Sequence, residues 1–233
     1  MTLPRRRVRA PLIAAVVMAV AGPASAHGYQ GERGYDVDLR ISGAHAQTDL
    51  DYGNRTVEHR TSRVGFQLFE VGNPQIQPGL FGGWMRSRVD DPGPAPDSQV
   101  ADTTRLSGYY IGAGVRSHLF HREPVSLLGE VRYTWHDVDG SSNGREVERE
   151  WTELQARLGP VVRVGPVRWS VGGYLSAIDG DQYVNGVREG FEQDRLTGAY
   201  TQLDLMVDRT GYVGLHADTG GSAGVHMVFG RIF

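Results

Sequence analysis

Two residue types are missing altogether: the chain has no cysteine and no lysine. Without cysteine there is no disulfide framework, no thiol nucleophile, no thiolate metal site and no attachment point for a lipid anchor after an export signal. The missing lysine leaves arginine to supply all 24 basic side chains, a bias that reads as the mark of a GC-rich genome. Long apolar runs are scarce too. The run from Leu12 to Ala21 is shorter than the roughly 20 residues a spanning helix needs, and nothing of that length follows, so a helical membrane protein is excluded. The run lies between Arg5, Arg6, Arg7, Arg9 and the small-residue sequence Ala24-Ser25-Ala26. Residues 1–26 are therefore expected to be a secretory signal cleaved after Ala26, with one domain over residues 27–233. Loss of those four arginines takes the formal charge from −3 to −7, and an acidic chain is a poor partner for nucleic acid.

What is present is alternation. About ten runs with a period of two are separated by turn residues, and no stretch carries a helical period. Tyr35, Val37, Leu39 and Ile41 oppose Asp36, Asp38, Arg40 and Ser42; Val131, Tyr133 and Trp135 oppose Glu130, Arg132, Thr134 and His136. The run from Leu80 to Arg88 is Gly-rich and leaves its faces ambiguous. Connections alternate between short ones and longer ones, the long set being Asp49–Arg55, Asp90–Asp102, Asp139–Glu148 and Asp179–Arg195. One face of each run is apolar. The other carries a charged or polar group every second or third position, the reverse of a soluble barrel with an apolar interior. Glycine is abundant, at 32 residues, yet aperiodic, so collagen-like sequence is excluded.

The last segment, Gly224 to Phe233, alternates and stops on an aromatic residue. With the export signal and the alternating runs, it resembles the small bacterial outer-membrane β-barrel proteins as a class. The resemblance implies a closed antiparallel transmembrane β-barrel of ten strands, or eight if the third or ninth run does not span. It also implies short turns in the periplasm, long loops outside, and Phe233 as the signal read by the barrel-assembly machinery. Outer-membrane lipid and lipopolysaccharide are the expected surroundings, and the chain is expected to be a monomer in the outer membrane of a Gram-negative cell. Tyr35, Tyr133, Trp135, Trp169 and Phe233 lie where an interfacial aromatic girdle is expected.

The candidate lumen lining is Asp38, Arg40, Arg63, Arg116, Glu130, Arg132, Glu153, Arg157, Arg168 and Asp204. These side chains fit either ion pairs filling a narrow barrel, since eight strands leave room only for side chains, or a lining that selects small hydrophilic solutes. His216-x-Asp218 and His136-Asp137 are expected near an outer rim, where His–Asp arrangements resemble those of the omptin proteases in residue type alone. No serine has the context that a lipid A hydrolase requires, no acidic group has calcium-loop spacing, and no cofactor is implied. The function expected is a non-enzymatic envelope protein whose outer loops, Gly180–Asp194 among them, make surface contacts. The alternatives are a narrow channel, porin-like in kind, or a barrel hydrolase acting on lipid A or peptide.

Overall fold

The computed structural model describes residues 37–53, 55–90, 105–122, 124–142 and 145–233. The expected signal, its cleavage site, Tyr35 and the connection after Asp90 lie outside them. Among the described residues there are eleven strands and no helix: β1 (Val37–Asp51), β2 (Thr56–Glu70), β3 (Gln77–Asp90), β4 (Arg105–Arg122), β5 (Val125–Ser142), β6 (Arg145–Val164), β7 (Val167–Val184), β8 (Val187–Gln193), β9 (Thr197–Met206), β10 (Gly211–Gly220) and β11 (Ser222–Ile232). All pair antiparallel.

Ten of them close a ring. β11 pairs with β1 from Asp38↔Ile232 to Thr48↔Ser222, so the sheet has no free edge at this level. The eleventh strand changes the ring. β8 pairs with β7 on one side, Asp179↔Glu192 to Val184↔Val187, and with β1 on the other, Leu50↔Gln193 and Asp51↔Glu192. It thereby takes the place of β9, β10 and β11, which stop short. The wall is a ten-strand ring at the end bearing the short turns, and an eight-strand ring of β1 to β8 at the other, extended end.

Strand lengths give the dimensions. The ten residues of β9 and β10, at about 3.3 Å each and tilted by about 40°, rise about 25 Å, the height of a lipid-facing belt. The 20 residues of β6 continue roughly as far again. Three of the four connections expected as long loops are therefore taken up in part by strand: residues 49–51, 139–142, 145–148, 179–184 and 187–193. The β1–β2, β5–β6 and β7–β8 hairpins run on beyond the belt, because closing a second ring satisfies backbone groups that a loop would leave to water. The turn joining β7 to β8 is Asn185-Gly186, both with positive φ (48° and 81°), the conformation a two-residue hairpin requires.

The outward face of the belt is apolar, with Ile41, Phe66, Leu80, Ile111, Tyr133, Leu158, Trp169, Leu203, Leu215 and Phe229 all exposed. Trp84 is 79 % exposed. A contiguous band of this size cannot face water. A closed barrel with an apolar exterior and a charged interior is the arrangement a bilayer demands, since every backbone donor finds a partner within the sheet.

The third run resolves as Phe81, Gly83, Met85 and Ser87 inside, with Leu80, Trp84 and Arg86 outside. Glycine has a spatial role. A Cβ on Gly65 would lie 2.2 Å from the Tyr110 hydroxyl, on Gly112 2.3 Å from the Phe81 ring, and on Gly230 2.2 Å from the Tyr212 ring. Phe81 and Tyr212 thus lie over glycines of the next strand, and Tyr110 reaches past Gly83 to a glycine one strand further.

Candidate functional site: the lumen

Each inward side chain is placed by the period of two, and cross-strand partners share a face. The ten residues expected to line the lumen all point inward. They do not form one continuous network. The lumen divides into a charged compartment at the turn end and a mostly apolar compartment at the extended end.

The charged compartment surrounds a cavity of about 180 Å³. Asp38 is its hub: one oxygen accepts from Arg40 Nη2 at 2.6 Å and Arg116 Nη2 at 3.2 Å, and the other accepts from the Tyr212 hydroxyl at 2.8 Å. The Arg116 guanidinium also lies 3.8 Å from the centroid of the Phe69 ring, a cation–π contact. Beyond the Tyr212 ring, over which Arg168 also lies, Asp204 accepts from Arg168 Nη2 at 2.7 Å and Gln202 Nε2 at 2.7 Å, with His216 Nε2 at 3.4 Å. Asp218 meets Arg157 and His226, both at 3.1 Å. The lining includes Val71, Gln77 and Ile232, residues beside the short turns or at the end of β11, so the cavity lies at that end.

Glu130, Arg132, Glu153 and Arg157 share the inward face of the neighbouring strands β5 and β6. Only Glu130 and Arg132 form an ion pair with each other, and they lie on one strand. Glu130 does face Arg157 in register, but the Arg157 head group turns to Asp218. Glu153 instead reaches across the lumen to Arg63 at 3.3 Å. In a barrel this narrow, long side chains find partners through the interior as easily as along the wall.

The second compartment is the one the sequence did not announce. Leu50, Val57, Met85, Val89, Leu106, Val138, Val147, Trp151, Ile178, Val184 and Phe191 are buried together. Trp151 is 1 % exposed. Its indole stacks on the His136 ring at 4.6 Å between centroids and 9° between planes, meets His59 edge-on at 5.4 Å, and lies 6.5 Å from Phe191. Arg149, 2 % exposed, donates to Ser87 Oγ at 3.2 Å and to Gln182 Oε1. The eight-strand ring explains the packing: at that circumference only side chains fit.

The two His–Asp arrangements come apart. His136 points inward against Trp151, while Asp137 points outward and accepts from the Tyr109 hydroxyl at 3.3 Å. His216 is paired with Asp204 rather than Asp218. Because β1 to β8 continue beyond the end of β10, His216 and Asp218 lie partway along the lumen, beneath the apolar packing, and not at a rim. Among the described residues no group of three or more His, Asp or Glu converges as a metal site.

The expected girdle residues divide as well. Tyr133 and Trp169 are exposed on the belt, whereas Trp135 is partly covered and donates from Nε1 to Glu150 at 2.7 Å. Phe233 exchanges backbone hydrogen bonds with Val37, at 2.9 and 3.1 Å, and its ring is exposed beside the Arg231 guanidinium.

No family model matches the sequence, and no curated protein matches it. Solved structures do share the architecture. The fold is that of a transmembrane β-barrel. It is similar to the translocator domain of the autotransporter NalP from Neisseria meningitidis, with a TM-score of 0.45, 12 % identity, and coverage of 96 % of this chain and 94 % of that one. The transport unit of the autotransporter AIDA-I from Escherichia coli gives 0.46 and 13 %, covering 93 % and 96 %. The outer membrane protease OmpT from Escherichia coli gives 0.42 and 12 %, covering 84 % and 94 %. Likeness at this level carries no activity from one protein to another.

Proposed function

We propose that the protein is a non-enzymatic, non-conducting barrel of the bacterial outer membrane that holds a rigid sheet extension above the bilayer for surface contact. The observation that supports this most is the eight-strand ring filled by Trp151, His136, Phe191 and their neighbours, a dry stopper in line with the charged cavity. In this reading residues 1–26 direct export, the short turns lie in the periplasm, and β1 to β8 project outside. Phe233 and its strand are offered to the assembly machinery, the belt faces outer-membrane lipid and lipopolysaccharide, and the barrel acts as a monomer. Among the described residues the surface element is a strand-built collar, whose ordering cost is met by the fold rather than by a partner. A hydrolase at the outer rim would need a base open to that side, and His136 and His216 are both enclosed.

Single-channel recording tests the reading. The full chain, refolded into lipid and shown to be folded by its heat-modifiable gel shift, is expected to give a silent planar bilayer. Discrete, reproducible conductance steps would instead favour the narrow channel, with Arg63, Glu130, Arg132 and Glu153 as its filter.

A further inference from the structure

The outward face of β2, β3 and β4 changes character along the strand in a way no other part of the belt does. The register places Val64, Trp84 and Tyr109 side by side in one row. Two residues further toward the extended end the row is Ser62, Arg86 and Ser107, and two further again it is Arg60, Arg88 and Arg105. With a strand rise of about 3.3 Å and a tilt of about 40°, successive rows are about 5 Å apart in height. The sequence of environments outward is therefore apolar and aromatic, then hydroxyl and guanidinium, then guanidinium alone.

Three arginines directly opposite one another on adjacent strands are an unfavourable arrangement, because like charges in register repel. Arg60 has a local partner in Glu58, at 2.5 Å. Arg86 and Arg105 are exposed and make no ion pair with any described residue. Two exposed guanidinium groups, Arg86 and Arg105, immediately above an aromatic row at the edge of an apolar belt match one kind of ligand. That ligand has acyl chains to lie against Trp84 and Val64 and a phosphate to accept from guanidinium and hydroxyl groups, for which arginine is the better donor through its planar fork. The contrast with β5 to β7 is sharp. There the outward positions beyond the belt are Asp137, Asp139, Glu148, Glu150 and Asp181, a face that repels phosphate and begins at the next strand, where Asp137 and Asp139 stand in register with Tyr109 and Ser107, so the site is bounded at β4.

We propose that the outward face of β2–β4 is a binding site for the phosphate of a phosphorylated glycolipid in the outer leaflet. Arg86 and Arg105 are the principal phosphate ligands, Ser107 the flanking hydroxyl donor, and Trp84 the contact for the lipid body, while the Ser62 hydroxyl is already hydrogen-bonded with His45 Nδ1 at 3.0 Å. The proposal rests on the outer-membrane reading above.

The test uses native mass spectrometry of the full, folded chain in detergent micelles, titrated with diphosphorylated lipid A, with the same lipid after enzymatic removal of its phosphates, and with inorganic phosphate. Wild type is expected to retain the phosphorylated lipid, with binding weakened about tenfold or more by dephosphorylation or by the double substitution Arg86→Gln, Arg105→Gln. Arg195→Gln, which removes an exposed charge away from the patch, is expected to bind as wild type does. Equal binding of the dephosphorylated lipid, or undiminished binding by the double variant, overturns the site. Displacement of the lipid by equimolar inorganic phosphate overturns it as a lipid site and leaves a free-anion site. Both substitutions are at exposed positions, so the gel shift is expected to show folded barrels throughout. A folded barrel that inserts into bilayers yet retains no lipid refutes this proposal alone, whereas a chain that will not insert refutes the envelope reading beneath it.

Discussion

Trp151 tests whether the extended end of the lumen is a packed stopper or merely a place where side chains happen to meet. Its side chain is essentially removed from solvent and touches His136, His59 and Phe191. A tryptophan buries about 200 Å², which at about 25 cal/mol per Å² is about 5 kcal/mol, and measured Trp→Ala losses in cores run about 3–5 kcal/mol. One term works the other way. The indole Nε1 is buried without a hydrogen-bond partner, so deleting it relieves a penalty of about 1 kcal/mol or more. Trp151→Ala is therefore expected to cost about 3 kcal/mol, read from urea unfolding of the lipid-inserted barrel. Trp151→Phe keeps most of the packing and loses the unpaired N–H, so it is expected within about 1 kcal/mol of wild type. Conductance supplies the functional arm: the single Ala variant stays silent because Phe191 and His136 remain, and the double variant Trp151→Ala, Phe191→Ala gives discrete steps. A Trp151→Ala barrel as stable as wild type, or a Phe variant as damaged as the Ala one, would falsify the stopper.

Other parts of the structure make separate predictions. Asp38→Asn strands two buried guanidinium groups, Arg40 and Arg116, without the carboxylate they share, and should cost about 3–5 kcal/mol in the same unfolding assay. The triple variant Asp38→Leu, Arg40→Met, Arg116→Leu should recover much of that loss, and no recovery would mean the network does more than neutralise itself. Gly65→Val places a branched side chain where the Tyr110 hydroxyl and the Gly82 carbonyl already lie. A loss of about 1–3 kcal/mol is expected, and a neutral result would show that Tyr110 swings freely. Asp208, in the exposed turn before β10, accepts hydrogen bonds from the Gly211 and Thr210 N–H groups at 2.6 and 2.7 Å, which hold its carboxyl below the usual value of 3.8. A depressed folded value means that the stabilisation is complete above the unfolded pKa and disappears as pH falls through the folded one. The stability gap between wild type and Asp208→Ala should accordingly be constant well above 3.8 and close as pH falls from there through the lower folded value, and a gap that widens on acidification would reverse the assignment.

The parts of the fold legible in the sequence were those written in the period of two. Which side of most strands faces out follows from Phe66, Ile111, Leu203 and Phe229 alternating with polar partners, and the structure has the same sides; the Gly-rich third run and β8 carried no such signal. The pairing of the inward charges was not legible, because Arg63 and Glu153 are 90 residues apart and meet only through the lumen, a distance set by strand number and stagger rather than by local sequence. The collar was legible in one place and overlooked there. Val184-Asn185-Gly186-Val187 is a two-residue hairpin signal, and it sits inside a stretch whose Asp and Gly content otherwise reads as loop. The signal leads further than one turn. A hairpin at that point sends β8 back along β7, β8 can close only on β1, and the ring at that height must then count eight strands instead of ten. The narrower ring has to be filled by side chains, which is why Trp151, Val147 and Phe191, on strands whose acidic neighbours suggest solvent, are buried at the barrel's far end. Glycine follows the same logic from the other direction. Its 32 positions show no sequence period, and several of them, Gly79, Gly112, Gly198 and Gly230, are set by where an aromatic ring of the adjacent strand must lie. A spacing imposed across strands leaves no trace along one.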